Sequence, residues 1–170
     1  FLGTIDAQSF VIRTQNVQAL RIEPSTLLAG LGPNTASVIA GSRDNAVTAG
    51  VRGATVMGGG ATLLSEGSVL APSRPNRATD HYSLVAGGWD NVAGNDNANL
   101  SDASFASVLG GSKNQAAATE SSVLGGFGNR TSGLRASVVG GLSNEANGVN
   151  AIVAGGAGST ATGSQSGVMA

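Results

Sequence analysis

The chain contains one histidine, His81, and no cysteine. A histidine-based triad or a His-rich metal cluster therefore cannot be assembled within one chain. Three symmetry-related copies of His81 would have to meet on an axis to make a metal centre; an exposed loop histidine is the plainer expectation. The acids with a conceivable joint role, Asp80, Asp90, Asp96 and Asp102, lie on or near two irregular stretches. A glycosidic pair requires two carboxyls about 5 to 10 Å apart. A hard cation requires several oxygen ligands; Asp96, Asn97 and Asp102 have that chemistry, but a solvated loop is the favoured reading. Gly125-Gly-Phe-Gly-Asn129 and Gly155-Gly-Ala-Gly-Ser159 partly resemble the calcium-binding GGxGxD nonapeptide. They carry Asn129 and Ser159 where that motif has its carboxylate, so they read as corners without metal. Trp89 is able to stack on a sugar, with ordinary corner packing as the alternative. The Trp89-Asp90 dipeptide has no propeller period of about 40 to 45 residues around it. No glycine pair opens a helical pattern or carries Lys-Ser/Thr, so there is no phosphate loop. The sequons at Asn99-Leu-Ser101 and Asn129-Arg-Thr131 matter only where the host glycosylates. Catalytic residues, metal ligands and cofactors are thus expected to be none. Arg74, Arg77, His81, Trp89, Asp96 and Asp102 remain as possible ligand contacts on loops.

The elements that carry these residues are set by a repeat. Ser107-Val-Leu-Gly-Gly111, Ser122-Val-Leu-Gly-Gly126, Ser137-Val-Val-Gly-Gly141 and Ile152-Val-Ala-Gly-Gly156 place Val108, Val123, Val138 and Val153 at steps of 15 residues. So short a fixed period means a solenoid. Two residues before each valine stand Ala106, Ser121, Ala136 and Ala151; eight after stand Ala116, Thr131, Ala146 and Ala161. Small or aliphatic residues two apart mark strands with one face turned inward. The pairs Gly110-Gly111, Gly125-Gly126, Gly140-Gly141 and Gly155-Gly156 are expected to turn one corner, and Gly133, Gly148 and Gly163 the other. Asn114, Asn129 and Asn144, six after the valines, line up when rungs stack and are able to ladder through their amides. Each unit reads as strand, corner, strand, corner. A pentapeptide helix fails because Val108 is followed at steps of five by Lys113 and Ala118. A hexapeptide helix fails because 15 is not divisible by six. A two-strand roll survives.

Composition agrees. With 4 % aromatic residues, 11 % charged residues and 27 glycines among 170 residues, a core of bulky side chains is not expected. Slightly positive mean hydropathy and a net charge of −1 argue against disorder. They also argue against nucleic acid and anionic membrane surfaces, which need clustered cations. Absence of cysteine excludes disulfides and leaves the compartment open. No run reads as a signal peptide, transmembrane segment or anchor, so no direct membrane insertion is expected from this segment. Val168 lies a further 15 residues beyond Val153, so the chain is expected to stop inside a rung, as a piece of something longer.

Residues 1–24 lie outside the lattice and read as a β-hairpin lead-in, with Phe10–Thr14 and Val17–Ile22 separated by Gln15-Asn16 and closed by Pro24. Residues 25–36 are a connector. The roll is expected over 37–170, with loop insertions near 63–80 and 95–104, because the steps from Val56 to Val85 and from Val85 to Val108 exceed one period. One rung buries too little to offset the cost of ordering it, about 1 to 2 kcal/mol per residue. Apolar cover from other rungs or other chains is required, and side-by-side association is the simplest remedy.

The run SVLGGSKNQAAATESSVLGGFGNRTSGLRASVVGGLSNEANG resembles the YadA-like head repeats of trimeric autotransporter adhesins, found also in phage tail-fibre and other bacterial surface proteins. The opening segment is similar to a module often placed beside such repeats. The likeness runs from about Ser37 onward and is most specific over residues 107–156. It implies an all-β, left-handed parallel β-roll, wound or packed as a homotrimer, in an extracellular or viral fibre that binds host matrix or glycan. The 15-residue step, where many such heads use 14, the two insertions and the lack of anchor or stalk depart from that pattern. The leading expectation is a non-enzymatic adhesive rod. The alternatives are a carbohydrate-active protein of the phage-spike kind, requiring two of the acids to converge in a groove, and a self-assembling surface filament.

Overall fold

The computed structural model describes residues 8–24, 35–60 and 74–170. Among these there is no helix, and the chain forms two long sheets of very short strands.

The larger sheet, called here the valine sheet, begins with β1 (Phe10–Thr14), β2 (Val17–Glu23) and β3 (Ser37–Ala40). It continues in parallel through two-residue strands ending at Val56, Val85, Val108, Val123, Val138, Val153 and Val168. The second, the alanine sheet, runs in parallel through strands that include Arg77–Ala78, Val92–Ala93, Gln115–Ala116, Arg130–Thr131, Glu145–Ala146 and Thr160–Ala161. Successive strands of the chain alternate between the sheets, so each turn of chain is one rung and each backbone group bonds to the rungs on either side. Register is constant: Val85 pairs with Val108, Val108 with Val123 and Val123 with Val138. The longer sequence steps on either side of Val85 therefore leave the register of the valines unchanged.

Alternation in each strand drives one side chain inward and the next outward. Inward go Ile39, Val56, Val85, Val108, Val123, Val138 and Val153, all fully buried, with Ala106, Ala136 and Ala151 from the same sheet. Ala78, Ala93, Ala116, Ala146 and Ala161 meet them from the alanine sheet. Ile39 takes the place of a valine in the first rung and Thr131 that of an alanine, so the inward positions stay small to medium throughout. At one corner Asn45, Asn76, Asn91, Asn114, Asn129 and Asn144 form a buried row. The Oδ1 of Asn114 accepts from the backbone N–H of Asn129 at 2.9 Å, and Asn129 does the same for Asn144. Each Nδ2 donates to corner carbonyls of its own and the next rung, glycines throughout except Ala40 for Asn45, as Asn129 does to Gly125 and Gly141. The next-rung glycine carbonyls also accept a backbone N–H, as Gly141 does from Phe127, so side chain and backbone close the corner together.

Corner chemistry differs from the sequence expectation within each glycine pair. The second glycine holds a left-handed φ of +80° at Gly111, +87° at Gly126 and +92° at Gly141, and a Cβ there would collide with the next rung's carbonyl. The first glycines, Gly110, Gly125 and Gly140, have no such φ, and a Cβ on them would meet nothing within 4 Å. Gly155 likewise lacks a left-handed φ, while Gly156 has φ +91°. At the opposite corner Gly133 and Gly148 are needed for close approach, since a Cβ would lie 2.0 Å from the carbonyl oxygen of the next rung. The left-handed position there, three before each lattice valine, is glycine only at Gly53; it is Tyr82, Phe105, Glu120, Arg135, Asn150 and Gln165 in the later rungs.

The hairpin turns through Gln15 and Asn16, both at positive φ. β2 then pairs antiparallel with β3, Leu20 opposite Ala40 and Glu23 opposite Ser37, which covers the first edge of the valine sheet. Of the proposed connector 25–36, residues 25–34 lie outside the described residues, as do 63–73 of the first proposed insertion. Residues 74–80, assigned above to that insertion, are part of the rung: Asn76 stands in the asparagine row and Arg77–Ala78 is a strand. The second departure, after Ala93, does form a loop and returns to the lattice at Ala103.

Candidate functional site

The candidate contacts Arg74, Arg77, His81, Trp89, Asp96 and Asp102 divide between the two corners. Arg74 and Trp89 share the asparagine-side corner, where the row Arg74, Trp89, Ser112, Phe127, Leu142 is joined from rung to rung by hydrogen bonds and isolated bridges. The Arg74 guanidinium lies 5.1 Å from the Trp89 ring centroid and pairs with Asp90 Oδ2 at 3.0 Å. Trp89 remains 42 % exposed.

The opposite corner carries the loop that follows Ala93. Asp80, fully buried, anchors it: Oδ1 accepts from the Ala103 N–H, and Oδ2 from the Asn95 N–H and the Thr79 hydroxyl. Two backbone N–H donors and a hydroxyl thus meet the carboxylate where water is excluded. Asp102 accepts from Asn95 Nδ2 at 2.8 Å and Asn97 Nδ2 at 3.0 Å. These two amides, Asn97 first, hold the Asp102 carboxyl below the usual range. Asp96 pairs with Arg77 at 2.6 Å, both side chains well exposed, a surface pair of small energetic worth. Among the described residues, no group of His, Asp and Glu side chains is arranged to hold a metal ion.

His81 sits where this loop meets the first rungs. Its Nδ1 accepts the Arg52 N–H at 3.1 Å, its N–H donates to the Leu100 carbonyl, and its carbonyl accepts from Phe105. Partial burial, with the Arg52 charge in support and Asp80 opposing, lowers its pKa from 6.5. Next to it Tyr82 and Phe105 stack in parallel, centroids 5.1 Å apart, and both are largely exposed. That pair escapes sequence reading because the partners are one long rung apart. The only forewarning is that each stands three residues before a lattice valine.

The four acids weighed for catalysis are therefore each engaged. Asp80 holds backbone, Asp90 and Asp96 each pair with an arginine, and Asp102 accepts from two amides. No helix among the described residues is long and apolar enough to cross a membrane. Comparison with protein-family models, curated proteins and solved structures finds no match to this chain.

Proposed function

We propose that this chain is a segment of an extracellular trimeric fibre, a left-handed β-roll whose three copies face one another through their valine sheets and display their corners and loops to a host surface, a matrix protein or a glycan. The observation that carries this reading is an uncovered apolar row. Beside the buried valines, Met57, Leu109, Leu124 and Val139 point outward, 45 to 61 % exposed in the single chain. Immediately after them come Gly58, Gly110, Gly125 and Gly140, which open onto empty space. Leucines in a continuous row with glycines beside them let a second backbone approach closely and bury what one thin roll leaves wet. The chain number of three and the left hand come from the resemblance to YadA-like heads. The proposed role is structural and adhesive rather than enzymatic. It places the protein at a cell surface, held there through another segment, or in a viral tail fibre.

A cysteine-free chain offers a direct test. Cysteine at Leu124 is expected to cross-link into covalent dimers with a short bismaleimide in dilute solution, the third thiol of each trimer being left singly modified, while cysteine at Arg130, on the alanine sheet, stays uncoupled. Equal coupling at both positions, or none at Leu124, contradicts the arrangement.

A further inference from the structure

The sequence contains two Asn-X-Ser/Thr triplets, Asn99-Leu100-Ser101 and Asn129-Arg130-Thr131, and the fold treats them oppositely. Enzymes that attach sugar to an asparagine amide nitrogen read such a triplet where they can reach it. Asn129 is fully buried, and its Nδ2 donates to the Gly125 and Gly141 carbonyls at 2.9 and 3.0 Å. Thr131 is fully buried as well, its hydroxyl donating to Ser121 Oγ at 3.0 Å, and Arg130–Thr131 is a strand paired on both sides. That triplet is part of the stacked rungs and offers no nitrogen to a second reaction.

Asn99 stands outside the rungs. It is exposed, on the loop between Ala93 and Ala103, and its backbone N–H donates to Asn97 Oδ1 at 2.6 Å. Its Oδ1 accepts from the Ser101 N–H at 3.2 Å and from the Ser101 hydroxyl at 2.9 Å. Its Nδ2 makes no hydrogen bond among the described residues. The loop is anchored from beneath: Asp80 accepts the Asn95 and Ala103 N–H groups at its two ends, and the Leu100 carbonyl accepts the His81 N–H. An amide nitrogen is a poor nucleophile because its lone pair is shared with the carbonyl. Two donors on Oδ1 stabilise negative charge at that oxygen, which makes an Nδ2 proton easier to remove. The serine two residues on thus serves the chemistry as well as the recognition.

We propose that Asn99 is a site of N-linked glycosylation. The co-substrate is a sugar joined through its anomeric carbon to a diphosphate, whose other end is a nucleotide or a lipid. A base of the transferring enzyme takes one Nδ2 proton, and the nitrogen forms its bond to the anomeric carbon. The bond from that carbon to the diphosphate oxygen breaks, and the electron pair leaves on the diphosphate. Nothing is oxidised or reduced. Transfer leaves Oδ1 unchanged, so both bonds from Ser101 persist in the product. The assignment goes beyond the adhesive reading and depends neither on chain number nor on what the fibre binds.

The test begins with the protein isolated from the cells that make it. Cleavage after arginine and lysine puts Asn99 in residues 78–113 and Asn129 in residues 114–130, so one digest reads both triplets by mass. The expected result is sugar on Asn99 and an unmodified 114–130 peptide. Incubating sugar-free chain with the soluble extract of those cells and UDP-glucose, or with their washed membranes, tells a nucleotide-linked donor from a lipid-linked one. Ser101→Ala should remove the sugar and Ser101→Thr, which keeps the hydroxyl, should retain it. Neither should shift the melting temperature of the sugar-free chain, because residue 101 is exposed on the loop. Bare Asn99 in the isolated protein, sugar on Asn129, or sugar that survives Ser101→Ala overturns the proposal.

Discussion

The two sheets are filled alike on the inside and differ on the outside. Outward from the valine sheet stand Leu84, Ser107, Ser122, Ser137 and Ile152 before the buried valines, and Met57, Ala86, Leu109, Leu124, Val139 and Ala154 after them, without one charge. Outward from the alanine sheet stand Arg77, Gln115, Arg130, Glu145, Ser132 and Asn147. Two bonds run along the stack, Arg130 to Gln115 at 3.3 Å and Ser132 to Asn147 at 2.7 Å, and one lies within a rung, Asn147 to Glu145 at 3.0 Å. The alanine sheet presents polar side chains that bond to one another, and the valine sheet presents uncharged, small or aliphatic ones. A repeat that varies freely on one face and stays small and aliphatic on the other is under packing constraint on both sides of one sheet.

The comparison is broken most severely from within. Val123→Asp places a charge between both sheets with no partner and is expected to abolish the folded state, read as loss of the β-sheet circular dichroism signal. A folded variant would show that the buried row does not hold the rungs. Next come the two glycines of one pair. Gly126→Ala combines φ +87° with a Cβ 2.3 Å from the Gly141 carbonyl oxygen. It should cost about 2 to 4 kcal/mol and lower the melting temperature by several degrees. Gly125→Ala meets nothing in its own chain, so any loss it causes should appear in association and disappear on dilution. Equal, dilution-independent losses would refute the distinction.

Leu124→Lys against Arg130→Glu separates the outer faces. The first is expected to weaken association by at least tenfold while leaving the dissociated chain folded; the second should change neither association nor melting by more than about 0.5 kcal/mol. Equal effects on sedimentation would erase the difference between the sheets. The smallest effect concerns His81. Its folded pKa lies below 6.5, so the neutral form is favoured by folding. The stability it contributes is complete above 6.5 and lost as pH falls through the lowered value. Melting temperature should fall as pH drops through that window, and His81→Asn should flatten the fall. Asp102 acts in a separate window: its contribution, present above 3.8, is lost as pH falls through its own lowered value.

What was legible in the sequence follows from what repeats. The valine row, the small residues two before and eight after it, and Asn114, Asn129 and Asn144 stand at a fixed step because each faces its own copy in the next rung. Asn76 escaped because the residues after Val56 displace it from the expected position, although it bonds Asn45 and Asn91 in the same row. Corner residues at positive φ escaped because Tyr82, Phe105, Glu120, Arg135, Asn150 and Gln165 have no chemistry in common. Their backbone is bent by the hydrogen bonds of neighbouring rungs, such as Glu120 N–H to the Ser104 carbonyl. Trp89 was visible as a residue able to stack on a sugar, whereas its bridge to Ser112 and the Arg74 guanidinium over its ring appear only in the structure.

The central claim is that the valine sheet's outer face is covered by copies of the same chain. It is tested most directly by the absolute mass of the purified protein, from light scattering during size exclusion. The account predicts three times 16.5 kDa; a stable 16.5 kDa species at high concentration would contradict it.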